Sequence, residues 1–185
     1  MKKEEKNTKE DILEAAQELF SSRGYKATSM SEIAKKVGIT KPSLYYFFKN
    51  KQDIYLSFIN SVILEIISIY KKTEVNTKNP KESIKKVLED TLNFSIKKRV
   101  MLSLVGESDL DKDTSLFKDV LKNTKKMDKE IESFLKRCSV SEVKMAKSLI
   151  TDSAHGYLCR KEKKMNNVSI KVFSEYISNL ITLNK

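Results

Sequence analysis

The stretch from Thr28 to Lys51, TSMSEIAKKVGITKPSLYYFFKNK, constrains this chain more than any other. Ser29 with Glu32 three residues on is a capping box, in which hydroxyl and carboxylate satisfy the first free backbone N–H groups of a helix. Met30, Ile33, Ala34 and Val37 follow at helical spacing and give that helix one apolar face. Gly38 stands where the backbone needs a positive φ to end it. Ile39 packs in the turn, Thr40 caps a second helix, and Pro42 falls in its first turn, where a missing N–H costs little. Leu44 and Phe48 are four apart and face inward, which leaves Lys41, Ser43, Tyr45, Tyr46 and Phe47 on the other sides. Tyr45, Tyr46 and Phe47 point in three successive directions and cannot all be core, so a mere scaffold explains this helix badly.

Phe20 and Gly24-Tyr25 precede the motif, Thr28-Ser29 opens it, and Ile33-Ala34, Val37-Gly38-Ile39, Lys41 through Phe48 and Lys51 complete it. On these residues, from about 8 to 56, the sequence resembles the N-terminal domain of the TetR family of bacterial transcription regulators. The resemblance implies a DNA-binding regulator whose recognition helix carries Lys41 to Phe47. Lys41 and Ser43 would reach base edges or nearby phosphates. Tyr45 and Tyr46 would offer hydroxyls to phosphates or rings to thymine methyls, and Phe47 apolar contact. Pro42 resembles the small or proline residue that lets this helix approach the groove. Ser29, Ser31 and Lys51, at helix N-termini, are placed for phosphates.

Charge supports this reading only through its distribution. The net charge is +11, but 32 of the 36 basic residues are lysine in a chain also rich in Ile, Asn and Ser, a bias that an A·T-rich genome produces as readily as function does. From Arg23 to Lys51, however, seven basic residues face the single acid Glu32, whereas residues 52 to 185 carry 25 basic against 18 acidic. The positive field is concentrated at the motif, as phosphate contact requires.

With four Gly and two Pro among 185 residues and 39% apolar residues, the chain reads as all-α. A three-helix helix-turn-helix head over residues 1–50 precedes a larger helical body over 51–185, with about nine helices in all. Residues 1 to 7 read as frayed, with Thr8 and Asp11 opening a first helix on Ile12, Leu13, Ala15, Ala16, Leu19 and Phe20. Asn50 with Asp53 opens a long fourth helix to about Lys72, and a loop follows at Thr73 to Pro80. Further helices are expected over Lys81 to Lys98, Val100 to Val105, Ser115 to Arg137, Glu142 to Lys163 with Ser141 as cap, and from Asn167 to near Leu183. The longest apolar stretch, Val62 to Ile69, is broken by Glu65 and Ser68, so no membrane span is expected. The charged start reads as no signal peptide, and the protein is expected to be cytoplasmic.

The last two helices carry more apolar positions than one seam of a monomer can bury: Met145, Ala146, Leu149, Ile150, Ala154, Tyr157 and Leu158, then Ile170, Phe173, Tyr176, Ile177, Leu180 and Ile181. A homodimer through these helices is expected, with small residues Ala146, Ser153 and Gly156 allowing close approach. The resemblance further implies a small-molecule effector site in the body, for which Tyr70, Phe94, Met101, Phe117 and Phe134 are candidates that read equally well as core.

Other chemistry is poorly served. Asp109, Asp111 and Asp113 have the start of a calcium loop, but its sixth position is Thr114 and its twelfth Val120, so an acidic turn is the better reading. His155 is the only histidine, and Cys138 and Cys159 lack metal or redox spacing. The glycines form neither a P-loop nor a dinucleotide fingerprint. No enzyme activity, metal or cofactor is expected. Two readings of other classes compete: a DNA-organising or division-associated protein on the same fold with no effector, and an effector-binding protein without DNA affinity.

Overall fold

A computed structural model describes residues 2–98, 113–162 and 167–182. Among them are eight helices and no strand: α1 (Lys2–Arg23), α2 (Met30–Val37), α3 (Lys41–Phe47), α4 (Lys51–Lys72), α5 (Pro80–Lys97), α6 (Ser115–Arg137), α7 (Val143–Glu162) and α8 (Ile170–Thr182). The helix expected over residues 100–105, the candidate Met101, and Asp109 and Asp111 lie outside the described residues.

Local chemistry accounts for the boundaries. Helix α1 starts at Lys2 and runs through Thr8, so Thr8 is not its cap; the Lys- and Glu-rich opening has good intrinsic helix propensity. Gly24, at φ 84°, ends α1, and its N–H donates to the Phe20 carbonyl at 2.9 Å. Helix α8 opens at Ser169, not Asn167: the Val172 N–H donates to the Ser169 hydroxyl at 3.2 Å. Helix α7 starts one residue later than expected, the Ala146 N–H reaching the Glu142 carbonyl. Helix α6 ends without glycine. Ser139 takes φ 57°, and the Val140 N–H bonds back to the Leu135 carbonyl at 3.1 Å.

The chain divides into two compact units, one of Met1–Ser61 with Gly106–Val120, the other of Val62–Val105 with Leu121–Lys185. In the first, Ile12, Ala16, Ile33, Leu44, Ile54 and Leu56 are fully or almost fully buried. Phe20, Tyr25 and Tyr55 form a ring trio with centroids 5.0 to 5.6 Å apart. In the second, Val62, Ile63, Ile66, Ile84, Val87, Leu88, Ile131 and Leu135 form the core, and α5 packs on α8 and α7. Lys81 and Lys85 on α5 reach Glu175 on α8 at 2.5 and 3.1 Å.

Helix α4 is long and apolar enough, by length and composition, to cross a membrane, with a mean hydropathy of 1.4. Yet 56% of that stretch is buried inside the protein, the condition of a core helix. Its side chains divide between the two cores: Ile54, Tyr55, Leu56, Phe58 and Ile59 in one unit, Val62, Ile63, Ile66, Ile67 and Tyr70 in the other.

Candidate nucleic-acid interface

The capping box forms as expected: the Glu32 N–H donates to the Ser29 hydroxyl at 3.2 Å, and the Ser29 N–H and hydroxyl donate to the Glu32 carboxylate at 2.9 and 2.8 Å. These bonds to Ser29, with Arg23 adding its charge, hold the Glu32 carboxyl below its usual value. Gly38, at φ 79°, closes α2, and the Ile39 N–H reaches back to the Ala34 carbonyl at 3.0 Å. Thr40 then caps α3, accepting from the Ser43 N–H at 3.2 Å, with its hydroxyl 2.7 Å from that of Ser43. Two short helices are thereby fixed at both ends of a three-residue turn.

Helix α3 is anchored by Leu44, fully buried, and by Phe48, buried just beyond its end. The opposite side faces solvent: Lys41, Pro42 and Ser43 are exposed, Tyr45 is 47% exposed and Tyr46 75%. Phe47 is half-buried, edge-on to Tyr46 at 5.1 Å. A tyrosine exposed by three quarters keeps a large apolar ring and a phenolic hydroxyl in water, ready for a partner that offers both thymine methyls and phosphates.

The cations around α3 separate into two groups. Arg23 pairs with Glu32 at 2.8 Å and Lys36 with Glu18 at 2.7 Å. Lys35, Lys41 and Lys49 are exposed and have no ion pair among the described residues. Lys35 and Lys49 were not singled out by motif, although the charge density of the segment was the signal that contained them. Lys51, expected at a phosphate, has an ammonium engaged within the chain. Its ammonium donates to the Tyr25 carbonyl at 2.7 Å and sits 4.2 Å from the centre of the Tyr25 ring. Ser29 likewise has its hydroxyl engaged in the cap, while Ser31 is exposed.

Residues 12–58 match the family described as bacterial regulatory proteins, tetR family. The tetR-family segment contains all of α2 and α3 and every residue placed above at the candidate interface. The HTH-type transcriptional activator FasR of Mycolicibacterium smegmatis is 31% identical over 83 residues, which cover 45% of this chain and 38% of FasR. The HTH-type transcriptional regulator QacR of Staphylococcus aureus is 37% identical over 76 residues, 41% of this chain and 40% of QacR. The chain therefore matches less than half the length of either curated relative. The fold likeness runs further: the transcriptional regulator FadR of Bacillus subtilis, solved in complex with stearoyl-CoA, superposes with a TM-score of 0.72 over 93% of this chain and 97% of FadR at 20% identity.

The candidate effector residues among those described differ in burial. Tyr70 and Phe134 are fully buried and meet edge-on at 5.5 Å. Burial raises the Tyr70 hydroxyl far above its usual range. Phe94 is half-buried, and Phe117 is buried in the unit that holds the head. None of the four lines the cavity of about 650 Å³ in the larger unit, which is bounded by Ile69, Lys72, Val75, Ser83, Lys86 and Asp90 where α4 turns into α5. The rings of Tyr70, Phe117 and Phe134 are buried, a state that spacing alone cannot separate from lining a cavity. Cys138 is buried, and Cys159 is half-buried with Sγ 3.6 Å from His155 Nε2. No cluster of three His, Cys, Asp or Glu capable of holding a metal occurs among the described residues.

Proposed function

We propose that the chain is a DNA-binding transcription regulator whose head, over residues 1–50, presents α3 to the major groove. The observation that carries this reading is the outer side of α3: Lys41, Ser43, Tyr45 and Tyr46 held in solvent by the buried anchors Leu44 and Phe48, inside the segment that matches the tetR family. Lys41 lies at the start of α3 and reads base edges or adjacent phosphates. Tyr45 and Tyr46 supply hydroxyls and ring faces, and Phe47 supports Tyr46. Lys35 and Lys49 add unpaired positive charge for phosphates on either side, and Ser31 is available at the N-terminal turn of α2. Lys51 works from behind, holding the Tyr25 turn.

The body over residues 51–185 makes the chain a homodimer through α7 and α8, so two heads meet an inverted repeat whose half-sites lie one helical turn apart, about 34 to 36 Å. The fold shared with FadR, which is seen with stearoyl-CoA, supports a small-molecule effector that shifts the body between states of different DNA affinity. In this reading the chain is a repressor acting in the cytoplasm. The binding reading is tested by titrating the full chain with labelled duplex DNA across a salt series. A steep loss of affinity with salt, made shallower by Lys41→Ala, supports it; affinity independent of salt sinks it.

A further inference from the structure

Helix α6 divides its charge by side. Ile131, Phe134 and Leu135 bury its inner side in the larger unit. Its acids serve cations off to the side: Glu132 reaches Lys147 on α7 at 2.7 Å, Glu130 lies 3.9 Å from Arg137, and the charge of Asp128 acts on Lys147. What remains outward is cationic. Lys122, Lys126, Lys129 and Lys136 follow one another at spacings of four, three and seven residues, which keep them on one side of a helix, and Lys125 stands beside them. All five are exposed, and the row is about 21 Å long. Lys122, Lys125, Lys126 and Lys129 have no ion pair among the described residues.

Such a row is unfavourable by itself. Lys122 has Lys125 and Lys126 three and four residues on, and Lys129 has the same two behind it, so like charges repel across neighbouring turns and weaken the helix. The composition of this side selects the partner that relieves the repulsion. Protein interfaces are poor in lysine and centre on aromatic or apolar anchors, and the row includes neither. A membrane-surface helix sinks an apolar face into lipid, whereas the apolar face of α6 is already taken by the core. Single-stranded nucleic acid is held by stacking on rings, which the row lacks. A duplex phosphate backbone asks for none of these: it is a regular line of negative charge that lysine meets as a point charge, with no base read.

We infer that the exposed lysine row of α6 is a second duplex-DNA contact, separate from α3, which holds the phosphate backbone without regard to sequence. The row lies outside residues 12–58, so no part of it belongs to the segment that matches the tetR family. It adds to the head reading without depending on it. Sequence choice stays with α3, and the row raises affinity for any duplex.

Equilibrium binding of the full chain to a labelled duplex of random sequence, across a salt series, tests this with two variants of equal charge loss. Lys122→Gln, Lys126→Gln and Lys129→Gln together should reduce the slope of log affinity against log salt by about two to three, because each phosphate contact contributes about 0.9, and should weaken binding about tenfold or more. All three side chains are exposed and glutamine keeps good helix propensity, so this variant folds. The control, Lys71→Gln, Lys72→Gln and Lys78→Gln at exposed positions elsewhere, should keep the slope within about one of wild type. A row variant with the wild-type slope overturns the contact. So does a control that loses as much, because the charge then acts only through the field of the whole chain. Loss of binding to anionic lipid vesicles in the row variant, with its duplex slope unchanged, overturns it in favour of a membrane surface. Lys41→Ala is read separately: a slope that falls in the row variant but not in Lys41→Ala sinks the head reading and leaves the row standing, and the converse sinks the row alone.

Discussion

Lys51 carries its charge in the most basic segment of the chain, yet its ammonium is held by the carbonyl and the ring of Tyr25. A charge-assisted hydrogen bond with a cation–π contact is worth about 1 to 3 kcal/mol. Lys51→Met should therefore lower the unfolding free energy by that order in urea, while leaving the salt slope of DNA binding unchanged where the protein is folded. A slope reduced by about one with unaltered stability would return Lys51 to the phosphate contacts. Tyr46→Ala should do the reverse: an exposed side chain costs less than about 0.5 kcal/mol of stability when removed, but its loss should weaken duplex binding tenfold or more. Leu44→Ala, at a fully buried site, should cost about 2 to 5 kcal/mol and lose binding through unfolding of the head. These roles were unequally legible. The buried Leu44 and the exposed Tyr45 and Tyr46 follow from helical spacing alone. The Lys51 contact links positions 26 apart, and no local pattern encodes it.

At the scale of elements, the caps and apolar faces were readable because each is set within a few residues. Ser29 with Glu32, Gly38 and Thr40 all act where the sequence placed them. Misplacements occur where several candidates stand together. Asn167 and Ser169 both suit a helix start, and the Val172 N–H settles on Ser169. Thr8 suits a cap, but the Lys- and Glu-rich residues before it extend the helix past it. Pairing between elements was not legible at all, and it governs pH dependence. Glu175 is held below the usual carboxylate range by hydrogen bonds from Lys81 and then Lys85, and Glu132 by the hydrogen bond from Lys147. A depressed folded value means that the stabilisation is complete above the unfolded pKa of about 4.3 and is lost as pH falls through the lower folded values. Lys85 and Lys147 are raised by those same carboxylates, so their share persists below the ordinary lysine value and fades only as pH rises through the raised ones. Urea midpoints should thus fall as the pH drops below about 4.3, and Glu175→Gln should flatten that fall. A midpoint that drops equally steeply in the variant would remove the α5 and α8 pairing from the explanation.

On the scale of the whole molecule, the total charge says little and its placement says much. A lysine-rich chain has cations everywhere, but the exposed Lys35, Lys41 and Lys49, without ion pairs among the described residues, cluster in the segment that also exposes Tyr45 and Tyr46. The helical class and the tetR-family head were legible because both rest on local signals. A candidate effector site was not, because Tyr70, Phe117 and Phe134 have the same spacing whether they pack a core or line a cavity. The proposed dimer lies between these cases: the surplus of apolar positions on the last two helices was visible, and Met145 and Tyr176 among them are exposed. The proposed recognition of DNA by α3 and the proposed pairing of two chains meet in one observable, the symmetry of the preferred site. Selection of sequences from random duplex DNA by the full chain reads it directly. The expected result is an inverted repeat whose half-site centres lie about 10 base pairs or a multiple apart, lost on Tyr46→Ala. Recovery of unenriched sequence, or of a motif that Tyr46→Ala leaves unchanged, would contradict the assignment of α3 as the reading element.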